Sequence, residues 1–263
     1  MNIEFSKFHG AGNDFVLIDN RERKYDLSEE QIALLCHRRF GIGADGMMLL
    51  ESSLEYDFKM TYYNSDGREG SMCGNGGRCI TAFADYIGIN KTHFLFQAVD
   101  GLHQSDIIDK NNASWEVNLQ MQNVDIIERN GANFFLDTGS PHHVEFVDEV
   151  DQIDVFTKGK SIRNSDLYKP KNGTNVNFVS FDGDIVKLRT YERGVEDETL
   201  ACGTGATAVA IATALQSEIP KSSYKLRALG GDLKVRFERN GEQFSNIWLE
   251  GPAVLVYSGI INL

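Results

Sequence analysis

Two short stretches, Met72-Cys73-Gly74-Asn75-Gly76-Gly77 and Ala201-Cys202-Gly203-Thr204-Gly205-Ala206, each place a cysteine ahead of a Gly-polar-Gly triplet. Both run into residues with a helical pattern, Arg78 to Tyr86 after the first and Ala206 to Leu215 after the second. Each cysteine is therefore expected at a helix N-terminus, where unsatisfied N–H groups and the helix dipole favour an anion. That setting lowers a thiol's pKa from its ordinary value of about 8.5. Gly74, Gly76, Gly203 and Gly205 let backbone approach a ligand closely, so the same N–H groups could hold a substrate carboxylate. A lone cysteine beside glycine reads as a small buried residue. Two cysteines that share this spacing and this helix start point instead to two thiols aimed at one substrate.

One thiol serves a hydrolase or a thiol transferase, given a histidine partner and an oxyanion hole. Two facing thiols suit inversion at a carbon: a thiolate removes the proton from one face and a thiol delivers one to the other. The reverse reaction swaps the roles, so near-equivalent residues in near-equivalent settings are required. An amino-acid α-proton is far less acidic than a thiol, and N–H groups aimed at the α-carboxylate would stabilise the carbanion as it forms. Pyridoxal phosphate is not needed if that stabilisation suffices, and no phosphate-binding or metal-binding signature stands out. Three alternatives remain at this point: a Cys73–Cys202 disulfide, a hydrolase pairing one cysteine with His142, and a protein that binds a carboxylate without turnover.

The elements that must position these thiols repeat along the 263 residues. Strands are expected at Ile3–Phe8, Phe15–Ile18, Met47–Leu50, Phe58–Tyr63, Phe94–Val99 and Ser114–Leu119, with a helix from Glu29 to Arg39 that carries Glu in its first turn and basic residues in its last. His9 to Asp14 reads as a turn-rich loop. Gly41-Ile-Gly-Ala-Asp-Gly46 matches the dinucleotide pattern G-x-G-x-x-G, but a helix precedes it and a strand comes after, the reverse of what that fingerprint requires. After residue 120 the pattern restarts. Phe134 to Val144 echoes the opening strand, glycine loop and return strand, Gly173 to Val179 echoes Gly43 to Leu49, and Val186 to Gly194 echoes Phe58 to Gly67. This is duplication of a whole domain. Strands at Leu233–Glu238, Ser245–Leu249 and Val254–Tyr257 close the second half, and the last returns to the first half. The expectation is an α+β fold of two pseudo-symmetric domains, each a mixed sheet rolled round a central helix. Residues 1–118, with a closing strand from 253–263, carry Cys73, and residues 119–252 carry Cys202. The two helix N-termini would then face a shared cleft.

Net charge is −12 and the sequence pI near 5.0, which argues against a nucleic-acid or anionic-membrane partner. Met1 precedes neither a basic n-region nor an apolar h-region, and no stretch has the apolar length of a membrane span, so a cytoplasmic protein with reduced thiols is expected. Cys36 and Cys79 read as structural. Prevalence alone points to a homodimer.

The segments His9-Gly-Ala-Gly-Asn-Asp-Phe15, Gly41-Ile-Gly-Ala-Asp-Gly46, Tyr63-Asn-Ser-Asp-Gly67, Cys73-Gly-Asn-Gly-Gly-Arg-Cys79, Gly173-Thr-Asn-Val176, Tyr191-Glu-Arg-Gly194 and Cys202-Gly-Thr-Gly205 resemble, in order and along the whole chain, those of diaminopimelate epimerase. Proline racemases share the two-cysteine idea but match less well at Gly-Asn-Asp-Phe and Tyr-Glu-Arg-Gly. The resemblance implies a cofactor-independent, metal-free isomerase that interconverts LL- and meso-2,6-diaminopimelate in lysine and cell-wall precursor biosynthesis. It implies that Cys73 and Cys202 are the acid–base pair and that Gly74 and Asn75, with Gly203 and Thr204, bind the reacting carboxylate. Asn13, Asn64, Asn175, Glu192 and Arg193 would line the rest of the pocket. Those types suit a zwitterion: Arg193 can grip a distal carboxylate in bidentate fashion, Glu192 can accept from an ammonium, and the Asn amides both donate and accept. His142 matches the family's histidine and would tune the site. The chain departs from the family at Ser140, in Gly139-Ser-Pro-His142, where Asn is usual. Thr204 stands where Ser is also common.

Overall fold

The computed structural model describes residues 1–70, 73–219 and 221–263, so Met72, which opens the first motif, lies outside the described residues. The chain forms two units, Met1–Leu119 with Gly251–Leu263, and Gln120–Glu250.

The first unit contains β1 (Asn2–Gly10), β2 (Asn13–Asp19), α1 (Glu29–Cys36), β3 (Gly46–Glu51), β4 (Phe58–Asn64), α2 (Gly74–Tyr86), β5 (His93–Ala98), β6 (Gly101–Lys110) and β7 (Ser114–Gln120). They pair in sequence order, parallel at β2–β3 and β4–β5 and antiparallel elsewhere. Gly251–Val254 pair with β7 and Val254–Asn262 with β1, so the sheet returns on itself. It wraps α2, whose residues Gly74 through Ala84 are all buried. Phe8, at 0% exposure, packs edge-on against Phe83 of that helix, ring centroids 6.0 Å apart. A helix buried on all sides must satisfy its own hydroxyls. Thr81 does so by donating to Gly77 O at 2.8 Å or meeting Ser105 Oγ at 2.7 Å.

The second unit contains β8 (Ile127–Asn130), β9 (Asn133–Asp137), β10 (Pro141–Phe146), α3 (Val155–Arg163), β11 (Asn175–Asp182), β12 (Ile185–Glu192), β13 (Asp197–Thr199), α4 (Gly203–Gln216), β14 (Ser223–Ala228), β15 (Gly231–Asn240) and the start of β16 (Gln243–Asn262). Its sheet runs β8-β9-β10-β11-β12-β14-β15-β16, parallel at β10–β11 and β12–β14, two parallel pairings one strand apart as in the first unit. Val124 bridges Phe244 and brings the sheet's ends together. The sheet wraps α4, whose Gly203 and Gly205 through Ala214 are buried. That helix is nearly all small residues, which lets the strands approach closely. Thr207 and Thr213 bond back to Gly203 O and Val209 O. Each unit is thus a mixed sheet rolled round a central helix, the fold class expected.

Three local expectations need correction, and some elements carry no signal in the sequence. The stretch from His9 to Asp14 is hardly a loop. β1 runs to Gly10 and β2 starts at Asn13, joined by a two-residue turn in which Ala11 (φ 51°) and Gly12 (φ 85°) both take positive φ. α1 ends at Cys36, three residues early and with no basic residue in its last turn. The chain folds back so that the N–H groups of Ile42 and Gly43 bond Leu35 O, a path open only to glycine at position 41, where an added Cβ would lie 1.9 Å from Leu34 O. α3 has no clear signal in the sequence. Gly159 weakens its helical pattern, yet that glycine is needed, since a Cβ there would come within 2.3 Å of Tyr191. The last two expected strands are one, β16: Pro252, which has no N–H to give, sits where the strand changes partner from β15 to β7 and does not break it. The short strands β8 and β14 are likewise not marked by the sequence pattern.

Candidate active site

Cys73 is the N-cap residue of α2, extended at φ −112° and ψ 149°, and its Sγ accepts from the N–H of Gly76 at 3.2 Å. That is the anion-favouring start the sequence implied. Gly76 makes it possible by packing: an added Cβ would meet Cys73 Sγ at 3.3 Å and Met48 at 3.4 Å. Three of the residues implied by resemblance converge here. Asn13 Oδ1 lies 3.9 Å from Cys73 Sγ and accepts from Asn75 Nδ2 at 3.2 Å. Asn13 Nδ2 donates to Asp45 Oδ2 at 2.7 Å, which fixes the amide's orientation. Asn75 is oriented from below: Arg78 Nη2 donates to Asn75 Oδ1 at 2.9 Å and Nη1 to Gly74 O at 3.2 Å.

Arg78 is fully buried, and burial pulls its pKa down. Asp14 lies between Lys7 at 2.7 Å and Arg38 at 2.7 Å. Burial pushes the Asp14 carboxyl up, but hydrogen bonds from Arg38 and Lys7 outweigh it and hold the group well below the usual carboxylate range. Lys7 also donates to Gly43 O. The glycine-rich turn therefore anchors Asp45 and, through it, Asn13. Asn64 closes β4, its N–H bonding Arg68 O and its O accepting from Gly67 N. Burial pushes the Cys36 thiol up to about 12 and Cys79 higher still, as structural thiols behave.

Cys202 is the N-cap residue of α4 at φ −122° and ψ 114°. Its Sγ lies 3.4 Å from Thr204 Oγ1, which lies 2.9 Å from His142 Nε2. His142 is fully buried, and burial, helped by the charge of Arg193, lowers its pKa to about 3. It is neutral at physiological pH. Its Nδ1 lies 3.1 Å from Asn177 Nδ2. β10 and β11 run parallel with His142 opposite Asn175. Asn175 donates to Ser140 Oγ at 2.7 Å and Pro141 O at 3.0 Å, and its Oδ1 accepts from the N–H of Arg193 at 2.8 Å. Ser140 thus holds Asn175. Glu192 Oε2 accepts from Thr199 at 2.9 Å. Thr138 Oγ1 donates to Thr204 O, tying the loop before β10 to the start of α4.

Within each unit, then, Cys73 meets Asn13, Gly74 and Asn75, and Cys202 meets Gly203, Thr204, His142 and, through His142, Asn175. The sequence pattern assigned no part to Asp45, Arg78 or Asn177. The signal for Asn177 was present: it lies two residues after Asn175 in a strand, so both side chains share a face. Among the described residues, no three His, Cys, Asp or Glu side chains are grouped to hold a metal ion, and no helix is long and apolar enough to cross a membrane.

The diaminopimelate epimerase family matches residues 5–127 and 134–256 of the chain. A diaminopimelate epimerase from Flavobacterium psychrophilum is 48% identical, over 98% of this chain and 100% of its own length. One from Chlorobaculum tepidum is 43% identical, over 97% and 99%. Among solved structures, a phenazine biosynthesis protein of the PhzF family from Bacillus anthracis superposes with a TM-score of 0.79 at 13% identity, covering 100% of both chains, a likeness of fold. By sequence along nearly its whole length, the chain belongs to the diaminopimelate epimerase family.

Proposed function

We propose that the chain interconverts LL- and meso-2,6-diaminopimelate with Cys73 and Cys202 as the acid–base pair and without a cofactor. One observation carries the reading: each unit opens its buried helix with a cysteine as N-cap residue, ahead of Gly-polar-Gly, in a chain of this family. One thiol acts on each face of the α-carbon. The thiolate takes the α-proton and becomes a thiol; the other thiol gives its proton to the opposite face and becomes the thiolate. The pair ends with its charge exchanged, ready for the reverse reaction. First-turn N–H groups of α2 and α4, those of Gly203 and Thr204 among them, with no acceptor inside the helix, meet the reacting carboxylate together with the side chain of Asn75. They supply the electrostatic stabilisation the carbanion requires.

Asn13, Asn64, Asn175 and Glu192 hold the remaining polar groups of the substrate, and Arg193 takes the distal carboxylate. His142, neutral and buried, acts through Thr204. Each domain, 1–118 with 253–263 and 119–252, contributes one thiol. A cytoplasmic setting keeps both reduced, and a homodimer is the expected assembly.

The test is incubation with LL-diaminopimelate in deuterated water. Meso product carrying solvent deuterium at the inverted carbon is expected. Product without deuterium would point to another route, and tight binding without product would make this a binding protein.

A further inference from the structure

The hydrogen bonds behind Cys202 have a direction, and it can be traced from one fixed end. Asn177 is fully buried in β11. Its Nδ2 lies 2.8 Å from His143 O. A backbone carbonyl only accepts, so the nitrogen of the amide must face it; the flipped amide would set oxygen against oxygen. Asn177 Oδ1, on the other side, accepts from Thr190 Oγ1 at 3.0 Å. The second proton on Nδ2 then points at His142 Nδ1, 3.1 Å away, which must be the unprotonated ring nitrogen. A neutral imidazole has one N–H, so the proton sits on Nε2. Nε2 lies 2.9 Å from Thr204 Oγ1 and donates to it. Asn175 Nδ2, 3.5 Å from the same nitrogen, does not compete, because its two protons go to Ser140 Oγ and Pro141 O. With one lone pair taken by this donor, the Thr204 hydroxyl keeps its own proton to give, and Cys202 Sγ lies 3.4 Å away to receive it when the sulfur is a thiolate.

We propose that Asn177 is a positioning residue for the reaction: pinned by the His143 carbonyl, it holds His142 in the Nε2–H tautomer and so makes Thr204 a donor to the Cys202 sulfur. A donor aimed at sulfur favours thiolate over thiol. The burial of His142 serves the same end, since an imidazolium would need an acceptor where Asn177 offers a donor. Asn177 is also wedged against the helix start, its Oδ1 2.6 Å from where a Cβ on Gly205 would stand. The tautomer claim rests on the geometry alone; its catalytic consequence rests on the reading of Cys202 as an acid–base group.

Long-range proton–nitrogen NMR of protein labelled with 15N-histidine reads the tautomer directly, with the His142 signals assigned by their loss in His142→Gln. The wild type should show His142 protonated on Nε2 alone at pH 7; a proton on Nδ1 overturns the proposal. Asn177→Asp, which puts an acceptor opposite Nδ1, should move the proton there. Asn177→Ala, which removes the donor without placing charge beside the His143 carbonyl, should leave a mixture. In both variants kcat should fall about tenfold or more, the size of one lost hydrogen bond to a charged group, while KM for diaminopimelate stays within about twofold. An unchanged tautomer in folded variants, or a rise in KM with kcat intact, overturns it. If the wild type turned over no diaminopimelate, the proposed function would fail while the tautomer spectrum would still decide the role of Asn177.

Discussion

In the first unit the sulfur of Cys73 lies 3.9 Å from an amide oxygen, Asn13 Oδ1, which can only accept. In the second, the sulfur of Cys202 lies 3.4 Å from a hydroxyl, Thr204 Oγ1. Beneath the two helix starts the contrast repeats: Gly76 packs on Met48, Gly205 on Asn177. The backbones are alike, an extended cysteine capping a buried helix in a rolled mixed sheet. A reversible inversion asks that the two backbone settings match. It does not ask that the side chains match, and here they differ: an amide oxygen that can only accept stands beside one sulfur, and beside the other a hydroxyl that, on the proposal above, gives its proton to the thiolate. The charged support differs as well. Asn13 is held by an acidic pair and two cations, Asp14, Asp45, Lys7 and Arg38. Thr204 is held by a neutral chain through His142 and Asn177.

The strongest way to break the equivalence is to remove one thiol. Cys73→Ala and Cys202→Ala should each lose epimerisation by a factor of about 10²–10⁴, the usual worth of an acid–base group. Each surviving thiol should still exchange the α-hydrogen of one isomer for deuterium, and the two variants should prefer opposite isomers. Near wild-type epimerisation by either would end the two-thiol reading.

A smaller loss is expected from Arg193→Ala. Removing a charged hydrogen-bond partner costs on the order of 1.5–3 kcal/mol, about one to two decades in kcat/KM. The protein should fold normally. Wild-type efficiency would place the distal carboxylate elsewhere.

Thr204→Val sharpens the comparison, because valine keeps the shape and removes the hydroxyl. Assayed in the Cys73→Ala background, where Cys202 alone exchanges, it should slow deuterium exchange about tenfold. In the Cys202→Ala background the change should be slight. Equal slowing in both would show that the hydroxyl serves the carboxylate rather than the sulfur.

The smallest expected effect is on stability. His142 has its pKa lowered to about 3 in the folded chain by burial and by Arg193, against about 6.5 when unfolded. Between those values the unfolded chain takes up a proton that the folded chain declines. Its contribution is therefore complete above about pH 6.5 and falls as pH drops toward 3, by at most about 1.4 kcal/mol per pH unit. Asp14, also lowered, acts only below its unfolded value of about 3.9, with the same sign. Denaturant titrations between pH 6.5 and 4 should show a slope shared by His142 and His143, whose pKa burial also lowers, and His142→Gln should reduce it. An unaltered slope would mean that the folded imidazole is protonated in that range.

The sequence carried much of this site. The doubled Cys-Gly-polar-Gly spacing placed both helix starts, because N-capping and the need for glycine at a close approach are local demands written in neighbouring residues. The rolled sheets could be inferred from strand alternation repeated in two halves. What the sequence did not carry was α3, hidden by a glycine kept for contact with Tyr191, and the unbroken course of β16 through Pro252. In both, a partner distant in sequence decides what a local signal denies.

The residue types, their spacing and the duplication were thus determined by the sequence alone: two thiols at two helix N-termini, and a histidine before the second. Tertiary structure alone decided which groups face each sulfur. Asn13 turns its oxygen to Cys73 because Asp45, far along the chain, takes its N–H. Asn177 stands 3.1 Å behind His142, and His142 2.9 Å from Thr204, because parallel pairing of β10 with β11 brings the two strands side by side. Hydrogen-bond direction belongs to a network closed in space, and only the fold closes it.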